Sequence, residues 1–583
     1  MTRRTEKAMK RFWWMITASL SLAVSLEIER PTFGQAVGVT SAHFEDVSES
    51  TGLSFRHHSP FSEERHLHLA MGSGVAWLDI DQDGWPDLCF AQGTAWPEST
   101  AQIGANSSLD RIYRNQQGRF TDVTQETGIL NTRYSMGLAA GDLDNDGFVD
   151  LMISCFGSHL LYRNNGDGTF DDVSSQLNSV PSILSASCTW IDCDQDGLLD
   201  LYVTNYVEID LDNYAVCTQS HRNRTVPIPC PPRKYPWPAD TLYRNMGDGR
   251  FLDVSQSAGL HDCEKSAGLG VVAGDFSGDQ IVDLYVANDT TANFLLINDG
   301  QGHFQDNAIA AGVAFNRLGE GEAGMGVSSG DVDGDGRLDL FVGNYYGESN
   351  TLYRSEAQGV FLDVTAEYGL AAPSRTRLAF GTLLTDFNND TWLDAFVANG
   401  HLSDQLNELG LKIPFRQRSQ LFVNSRGARF REASASAGAW FQKEIVGRGC
   451  ASGDFNLDGF SDIVVQDLNG PTALLQNSGD SQNQSISLLL KGRSGNRDGI
   501  GARVEVSLPD QTLVRCREGS SSYLSCNDAT LVIGLGEISQ AVSVKIQWPG
   551  GALQTVTGVS PGTQTIIVEG RDAKLLPAMR VAR

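Results

Sequence analysis

Positive charge is scarce in this chain: 44 Lys and Arg stand against 71 Asp and Glu, a formal net charge of −27. Phosphate polymers and anionic lipid surfaces would be repelled by that balance, which argues against nucleic-acid or membrane-surface binding by the chain as a whole. Long apolar runs are equally rare. Only Phe12 to Leu26 is extended and uncharged, and it is short for a membrane span. The chain also lacks a His-Glu-x-x-His pair and a phosphate-binding Gly-Lys loop, and no nucleophile elbow is expected. These absences point away from an enzyme. Disorder is excluded as well, since 41% of residues are hydrophobic and 20% charged.

What is present begins with an export signal. Arg3, Arg4, Lys7, Lys10 and Arg11 form a basic n-region before the apolar run, and Gly34-Gln35-Ala36 offers small residues for cleavage after Ala36. Residues 1–36 are therefore expected to be a signal peptide of the general secretory route, with an uncleaved anchor as the alternative. Ten Cys lie beyond it, an even count that suggests disulfides in an exported protein. Cys217 with Cys230 and Cys516 with Cys526 are the expected pairs. Cys89, Cys155 and Cys450 lie in strand-like runs and are expected to be buried thiols.

One pattern, Asp-x-Asp-x-Asp-Gly-x-x-Asp, recurs seven times. An apolar, Gly-rich run such as Met136 to Asp142 precedes it, and an apolar run such as Leu340 to Asn344 follows. Then come motifs like Leu161-Tyr-Arg-Asn164 and Phe170-Asp-Asp-Val173. These runs read as four antiparallel strands per repeat, hence as propeller blades. The Phe-x-Asp-Val-like motifs start at Phe44, Phe120, Phe170, Phe251, Phe304, Phe361 and Phe430, so one precedes the first Asp loop and none follows the last. The strand near Phe44 to Val47 is therefore expected to complete the blade begun by residues 447–477 and leave no free edge.

The loop chemistry suits a hard cation. Positions 1, 3 and 5 point oxygens inward, Gly permits the turn, position 7 offers a carbonyl and position 9 closes the shell. Without a cation, four carboxylates within nine residues repel one another. Calcium fits better than magnesium because it accepts six or seven flexible oxygen ligands. The predicted ligands are Asp79, Asp81, Asp83 and Asp87; Asp142, Asp144, Asp146 and Asp150; Asp192, Asp194, Asp196 and Asp200; Asp275, Ser277, Asp279 and Asp283; Asp331, Asp333, Asp335 and Asp339; Asp386, Asn388, Asp390 and Asp394; and Asp454, Asn456, Asp458 and Asp462. Up to seven Ca²⁺ ions are expected. The loops at Asp275 and Asp386 should bind most weakly, because Gln280 and Thr391 replace the Gly. An EF-hand is rejected: it needs Glu at position 12, where this chain has Phe90, Ile153, Val203, Val286, Val342, Val397 and Val465.

With their Gly-Asp lead-in and Asp-Leu-Phe-Val exit, residues 43–478 resemble FG-GAP/VCBS repeats, as in integrin α-chain propellers. Residues 484–570 carry no Asp loop and alternate in a β-like way over Ser485 to Leu490, Ala502 to Leu508, Val542 to Trp548 and Thr565 to Val568. Gly495 to Val504, Gly534-Leu-Gly536 and Trp548-Pro-Gly-Gly551 look like an ASPIC/UnbV domain. A propeller followed by that domain is similar to the cartilage acidic protein family, and the resemblance implies a secreted, calcium-binding protein of matrix or surface contacts. It implies no catalytic residue. The expected fold is all-β: a seven-bladed β-propeller, then a small β-sandwich-like domain, with residues 571–583 as a tail. Asn496, Arg497 and Asp498 are ligand candidates there, against the plainer reading that they fix a turn.

Strand parity puts the seven Asp loops on one face and the long insertions, residues 93–110, 206–240 and 399–418, on the other. The second insertion is Pro-rich, with Pro227, Pro229, Pro231 and Pro232 beside Tyr235 and Trp237, and is read as an interface or as a loop packed over the sheets. His57, His58, His66 and His68 precede the first Asp loop; a polar loop is the favoured reading and a transition-metal site the alternative. Asn106 and Asn223 begin glycosylation sequons. The expected function is an exported module that binds a protein or glycan at the cell surface or outside the cell. The alternatives are an enzyme with a site in the propeller channel and a structural envelope component.

Overall fold

The computed structural model describes residues 42–93, 109–178, 180–479 and 482–576. The expected signal peptide, most of the 93–110 insertion and the Asn106 sequon lie outside them. Among the described residues, 42–479 form seven four-stranded antiparallel sheets and one two-stranded hairpin. The first strands of the seven are Val75–Leu78, Ser135–Gly141, Ile183–Ile191, Gly268–Gly274, Val327–Gly330, Ala379–Thr385 and Gly447–Gly453. Each neighbours the next, and the seventh neighbours the first. Their glycines have a steric cause: a Cβ at Gly137 would collide with the Ala186 carbonyl, and one at Gly326 with the Phe380 carbonyl. First strands such as Ser135–Gly141 and second strands such as Asp150–Cys155 are buried along their whole length, because each sheet is covered on both faces by its neighbours.

The N-terminal strand Phe44–Asp46 lies where the offset of the repeats put it. Phe44 is opposite Asn477 and Asp46 opposite Leu475, so this strand completes the seventh sheet. Phe44 is buried against Phe387 and Phe441.

The Asn that ends most third strands joins one sheet to the next. Asn164 donates from Nδ2 to the Ile80 carbonyl at 2.9 Å, Asn245 to Leu143 at 2.7 Å and Asn298 to Cys193 at 2.9 Å. Asn424 reaches Val332, Asn477 reaches Phe387, and Asn115 reaches Phe455. Each acceptor is the second residue of the preceding sheet's Asp loop. The fifth sheet has Ser355 instead, and there the Gly359 N–H takes the Phe276 carbonyl at 3.1 Å.

Residues 484–576 form two four-stranded sheets around one core that includes Ile486, Leu488, Val504, Val544, Ile546 and Trp548. The strand Lys574–Leu576 pairs with Gln564–Val568, so sheet structure continues into the stretch read as tail. Between Thr512–Cys516 and Leu531–Gly536 the chain leaves this core and lies among the first strands of the N-terminal sheets. Cys526 exchanges backbone bonds with Val75 and Trp77, Ser522 with Val327, and Leu524 accepts from Leu138. Ser520 reaches the Cys188 carbonyl, the Ser522 hydroxyl accepts from Thr382 at 3.1 Å, and Asn527 accepts from Ser452 at 2.9 Å. Six of the seven sheets thus hold this segment, with Tyr523 and Leu524 fully buried.

That placement overturns one expected disulfide. Cys516 ends a strand of the C-terminal domain, whereas Cys526 sits against the first sheet with its thiol 3.2 Å from the Gly519 carbonyl, and both are free. Proximity in sequence misled because the segment between them turns away into the sheets. Cys217 and Cys230 do form a disulfide, and Cys89, Cys155 and Cys450 are buried thiols.

Replacing Asn245 by Ala would strand buried carbonyls at Leu143 and Leu199. A loss of about 2–3 kcal/mol is expected by denaturant unfolding, against a few tenths for the exposed Asn165.

Candidate cation loops and their cover

In every repeat the loop backbone folds onto its own carboxylates. In five of the seven loops the first-position Asp accepts from the N–H groups of positions 5 and 6: Asp146 and Gly147 donate to Asp142 at 3.1 and 2.7 Å, and Asp458 and Gly459 to Asp454 at 3.0 and 2.8 Å. The ninth-position Asp ties the loop to the third strand. Asp150 accepts from Leu143 and Asn164 at 2.7 Å each, and Asp87 from Ile80 at 3.0 Å and Asn115 at 2.6 Å. This wrap needs left-handed backbone at positions 4 and 6, as at Asn145 (φ 58°) and Gly147 (φ 105°). Gln280 and Thr391 adopt it with side chains, at φ 74° and 86°, and for β-branched Thr391 that is a strained conformation.

The structure gathers three carboxylates within 4.8 Å of one another in four loops: Asp79, Asp81 and Asp87; Asp142, Asp144 and Asp146; Asp192, Asp194 and Asp196; and Asp331, Asp333 and Asp339. Asp83, Asp150, Asp200 and Asp335 complete those loops without joining the clusters. The other three loops carry Ser277, Asn388 and Asn456 at position 3. Asn388 and Asn456 turn their amide Nδ2 towards Asp390 and Asp458, at 3.0 and 3.2 Å. In the remaining loop Gly278 donates to Asp275 at 2.6 Å and Ser277 to Asp283 at 2.9 Å.

The third strands carry a residue whose role the sequence reading missed. Arg114 lies 3.1 Å from Asp81, Arg354 3.7 Å from Asp333, and Arg244 pairs with Asp194. Arg163 occupies the equivalent third-strand position; burial and then Asp146 push the Asp144 carboxyl up, and the Arg163 charge opposes that rise. These four arginines serve the four loops with four Asp. The three loops with only three Asp have Ile297, Val423 and Gln476 there. That covariation within the chain was the available signal.

Even so, the carboxylates are poorly supported as anions by protein groups alone. Burial is the leading cause in each case: it raises Asp79 and Asp331 to about 6, Asp142, Asp192, Asp200 and Asp283 to about 7 and Asp150 to about 9. Asp386, Asp394, Asp454 and Asp462 are also raised, by burial and then by their acidic neighbours. Asp81 Oδ1 and Asp192 Oδ1 are buried with no hydrogen-bond partner. Buried oxygens without donors fit a cation as the missing partner.

The C-terminal domain lies over these loops. Arg503 donates to the Gly336 carbonyl at 2.7 Å, Arg515 to Thr391 at 3.1 Å and Ser485 to Gly459 at 2.7 Å. Asp142 donates its N–H to Asp498 at 2.8 Å, and Arg497 its N–H to Asn145 at 2.8 Å. Asn496 is buried and exchanges bonds with Ile500. The Asn-Arg-Asp trio thus shapes a turn and docks the domain.

The family model of the FG-GAP-like repeat matches residues 79–153, 150–203, 275–342 and 331–397, and that of ASPIC and UnbV matches 492–574. The chain is an FG-GAP-repeat protein with a C-terminal ASPIC/UnbV domain. It is similar to cartilage acidic protein 1 of Mus musculus, 25% identical over 508 residues, which is 82% of this chain and 71% of that one. Integrin alpha-6 of Homo sapiens is 24% identical over 169 residues, 27% of this chain and 14% of that protein. A solved rhamnogalacturonan lyase shares 13% identity over 76% of each chain at a TM-score of 0.35, too distant to carry an argument.

On the side away from the FG-GAP loops, the 206–240 insertion holds the hairpin Cys217–His221 and Arg224–Ile228, pinned by its disulfide. Its aromatic residues face inward. Tyr235 is buried, Trp237 donates to the Pro232 carbonyl, and Tyr214 stacks on His66 at 3.9 Å and bonds His68 at 2.9 Å. His57 and His68 are buried rather than exposed, and burial lowers His57 to about 3. His57 and His68 serve packing, whereas His58 is exposed. Gly326 to Gly330 spells Gly-x-Ser-x-Gly, but it lies in and beside a first strand, where Ser328 bonds Thr382 at 2.8 Å; no elbow forms. No helix among the described residues is long and apolar enough to cross a membrane.

The raised carboxyls set a sign for pH dependence. Free Asp ionises near ~4, so between there and about 7 the metal-free folded chain holds more protons than the unfolded one, and stability falls as pH rises. In excess chelator the melting temperature should drop from pH 5 to pH 8. Saturating calcium should remove that slope. A chelated protein that melts higher at pH 8 than at pH 5 contradicts the assignment.

Proposed function

We propose that this is an exported, calcium-loaded seven-bladed β-propeller capped by a β-sandwich, which binds a protein or glycan partner through the face away from its Asp loops. Charge balance carries the calcium reading. At the third-strand position beside the loop, loops with four Asp have an Arg and loops with three have none. Counting the loop's own Asp residues and that third-strand Arg alone, one divalent cation would leave every loop with the same residual formal charge, one negative. This extends the proposal to the loops at Asp275, Asp386 and Asp454, despite the strain at Gln280 and Thr391.

The binding face follows from what the C-terminal domain occupies. It lies over the Asp loops, and its 517–530 segment sits among the first strands, so the insertions 206–240 and 399–418 remain the built surface. They pack on each other through Val226, Leu406 and Leu409, and Arg224 donates to the Glu408 carbonyl at 2.8 Å. Elaborated loops on a rigid scaffold commonly carry recognition.

Two outcomes test this. Arg244→Gln removes the counter-charge at Asp194; it should lower the melting temperature in chelator yet tighten calcium binding by roughly tenfold at its loop. Weaker calcium binding would contradict the charge argument. Cross-links from a captured partner should fall on Lys234 and Lys412, whereas cross-links confined to Lys491, Lys545 and Lys574 would move the binding site to the C-terminal domain.

A further inference from the structure

The far-face insertions break the charge pattern of the rest of the chain. From Asn213 to Ala239 there is no acidic residue, but Arg222, Arg224, Arg233 and Lys234 are present. From Leu409 to Arg418 there is again none, but Lys412, Arg416 and Arg418 are. All seven bases are exposed, and among the described residues only Arg416 has an ion-pair partner, Asp467. The flanking acids lie outside both stretches, and one of them, Asp404, is paired to Arg65 at 2.9 Å.

Packing brings the two stretches together. Val226 and Ile228 of the hairpin touch Leu406, Leu409, Leu411 and Ile413, which places Lys412 on the element that supports Arg222 and Arg224. Arg222 and Asn223 form the hairpin turn with positive φ, 46° and 66°, and the disulfide closes its base. The bases are thus presented on a stiff support, which lowers the ordering cost of binding.

We propose that these joined insertions dock an acidic polysaccharide, one bearing uronate or sulfate groups; this rests on the far-face reading above and names its partner class. Exposed Arg forks suit carboxylate and sulfate oxygens. Around them the exposed groups are hydroxyls and amides, including Thr218, Ser220, Asn223 and Thr225, which suit sugar hydroxyls. Protein interfaces centre on apolar or aromatic anchors. Of the exposed large hydrophobic residues only Val216 falls within 213–239 or 409–418, and the insertion's aromatic residues are spent inward. The net acidity of the chain does not forbid this contact, because charges farther than about 8 Å are largely screened at physiological salt.

The test is isothermal titration of the full, calcium-loaded chain, at fixed free calcium and about 0.15 M salt, with three probes: a heparin-derived octasaccharide, neutral cellohexaose and a poly-glutamate peptide. The octasaccharide should bind and the other two should not, and binding should fade as salt rises. Arg222→Ala/Arg224→Ala/Lys412→Ala should weaken it roughly tenfold or more, while Arg250→Ala/Arg429→Ala/Lys545→Ala, three exposed bases elsewhere, should stay within about twofold. Thermal melting checks that both variants fold. No octasaccharide binding by the unaltered chain, or an equal loss in the second variant, overturns the proposal. Poly-glutamate binding as tight as the octasaccharide would assign the surface to an acidic protein segment and overturn it too. If a partner cross-links to Lys234 or Lys412 while the octasaccharide fails, far-face binding stands and the polysaccharide alone falls.

Discussion

Crowded, half-buried carboxylates at the ends of the first strands are the constraint on which this structure turns. Each Asp loop spends main-chain N–H groups on its first and ninth carboxylates, and still leaves buried oxygens such as Asp192 Oδ1 without a donor. The same loops are joints between sheets, because the second residue's carbonyl receives the Asn of the following sheet. Repulsion inside one loop therefore bears on the seam between two sheets. A divalent cation in the loop would relieve both at once.

The C-terminal domain depends on the same geometry. Arg503, Arg515 and Ser485 bond carbonyls at the sixth loop position, which point outward only when that residue is left-handed. A well-formed loop is thus also a docking surface for the domain above it, and Asn496, Arg497 and Asp498 belong to that docking. On the opposite face, two insertions share a small apolar core and carry a local excess of base.

Much of this was legible in the sequence. The repeat, its strand order and the loan of Phe44–Asp46 to the seventh sheet follow from counting motifs, since each repeat must bury its own apolar faces. The Cys217–Cys230 bridge was legible because the two Cys bracket a single excursion. Cys516–Cys526 was not, because Gly519 to Cys526 has no periodicity and reads as an ordinary loop; only the structure reveals that its main-chain and side-chain groups bond to six of the N-terminal sheets. The histidines misled in a milder way: polar residues near a chain start read as surface, yet His68 is held by Tyr214 and buried beneath it. The Arg and Asn of the third strands were visible as letters, but their partners lie across a loop or a sheet boundary, and spacing along the chain does not report that distance.

Metal content decides the central claim most directly. Protein purified without chelator and exchanged into calcium-containing buffer should retain at least four calcium ions per chain, one for each carboxylate cluster, and as many as seven if charge balance rules all the loops. Fewer than one calcium per chain, together with a melting temperature indifferent to chelator, would contradict it.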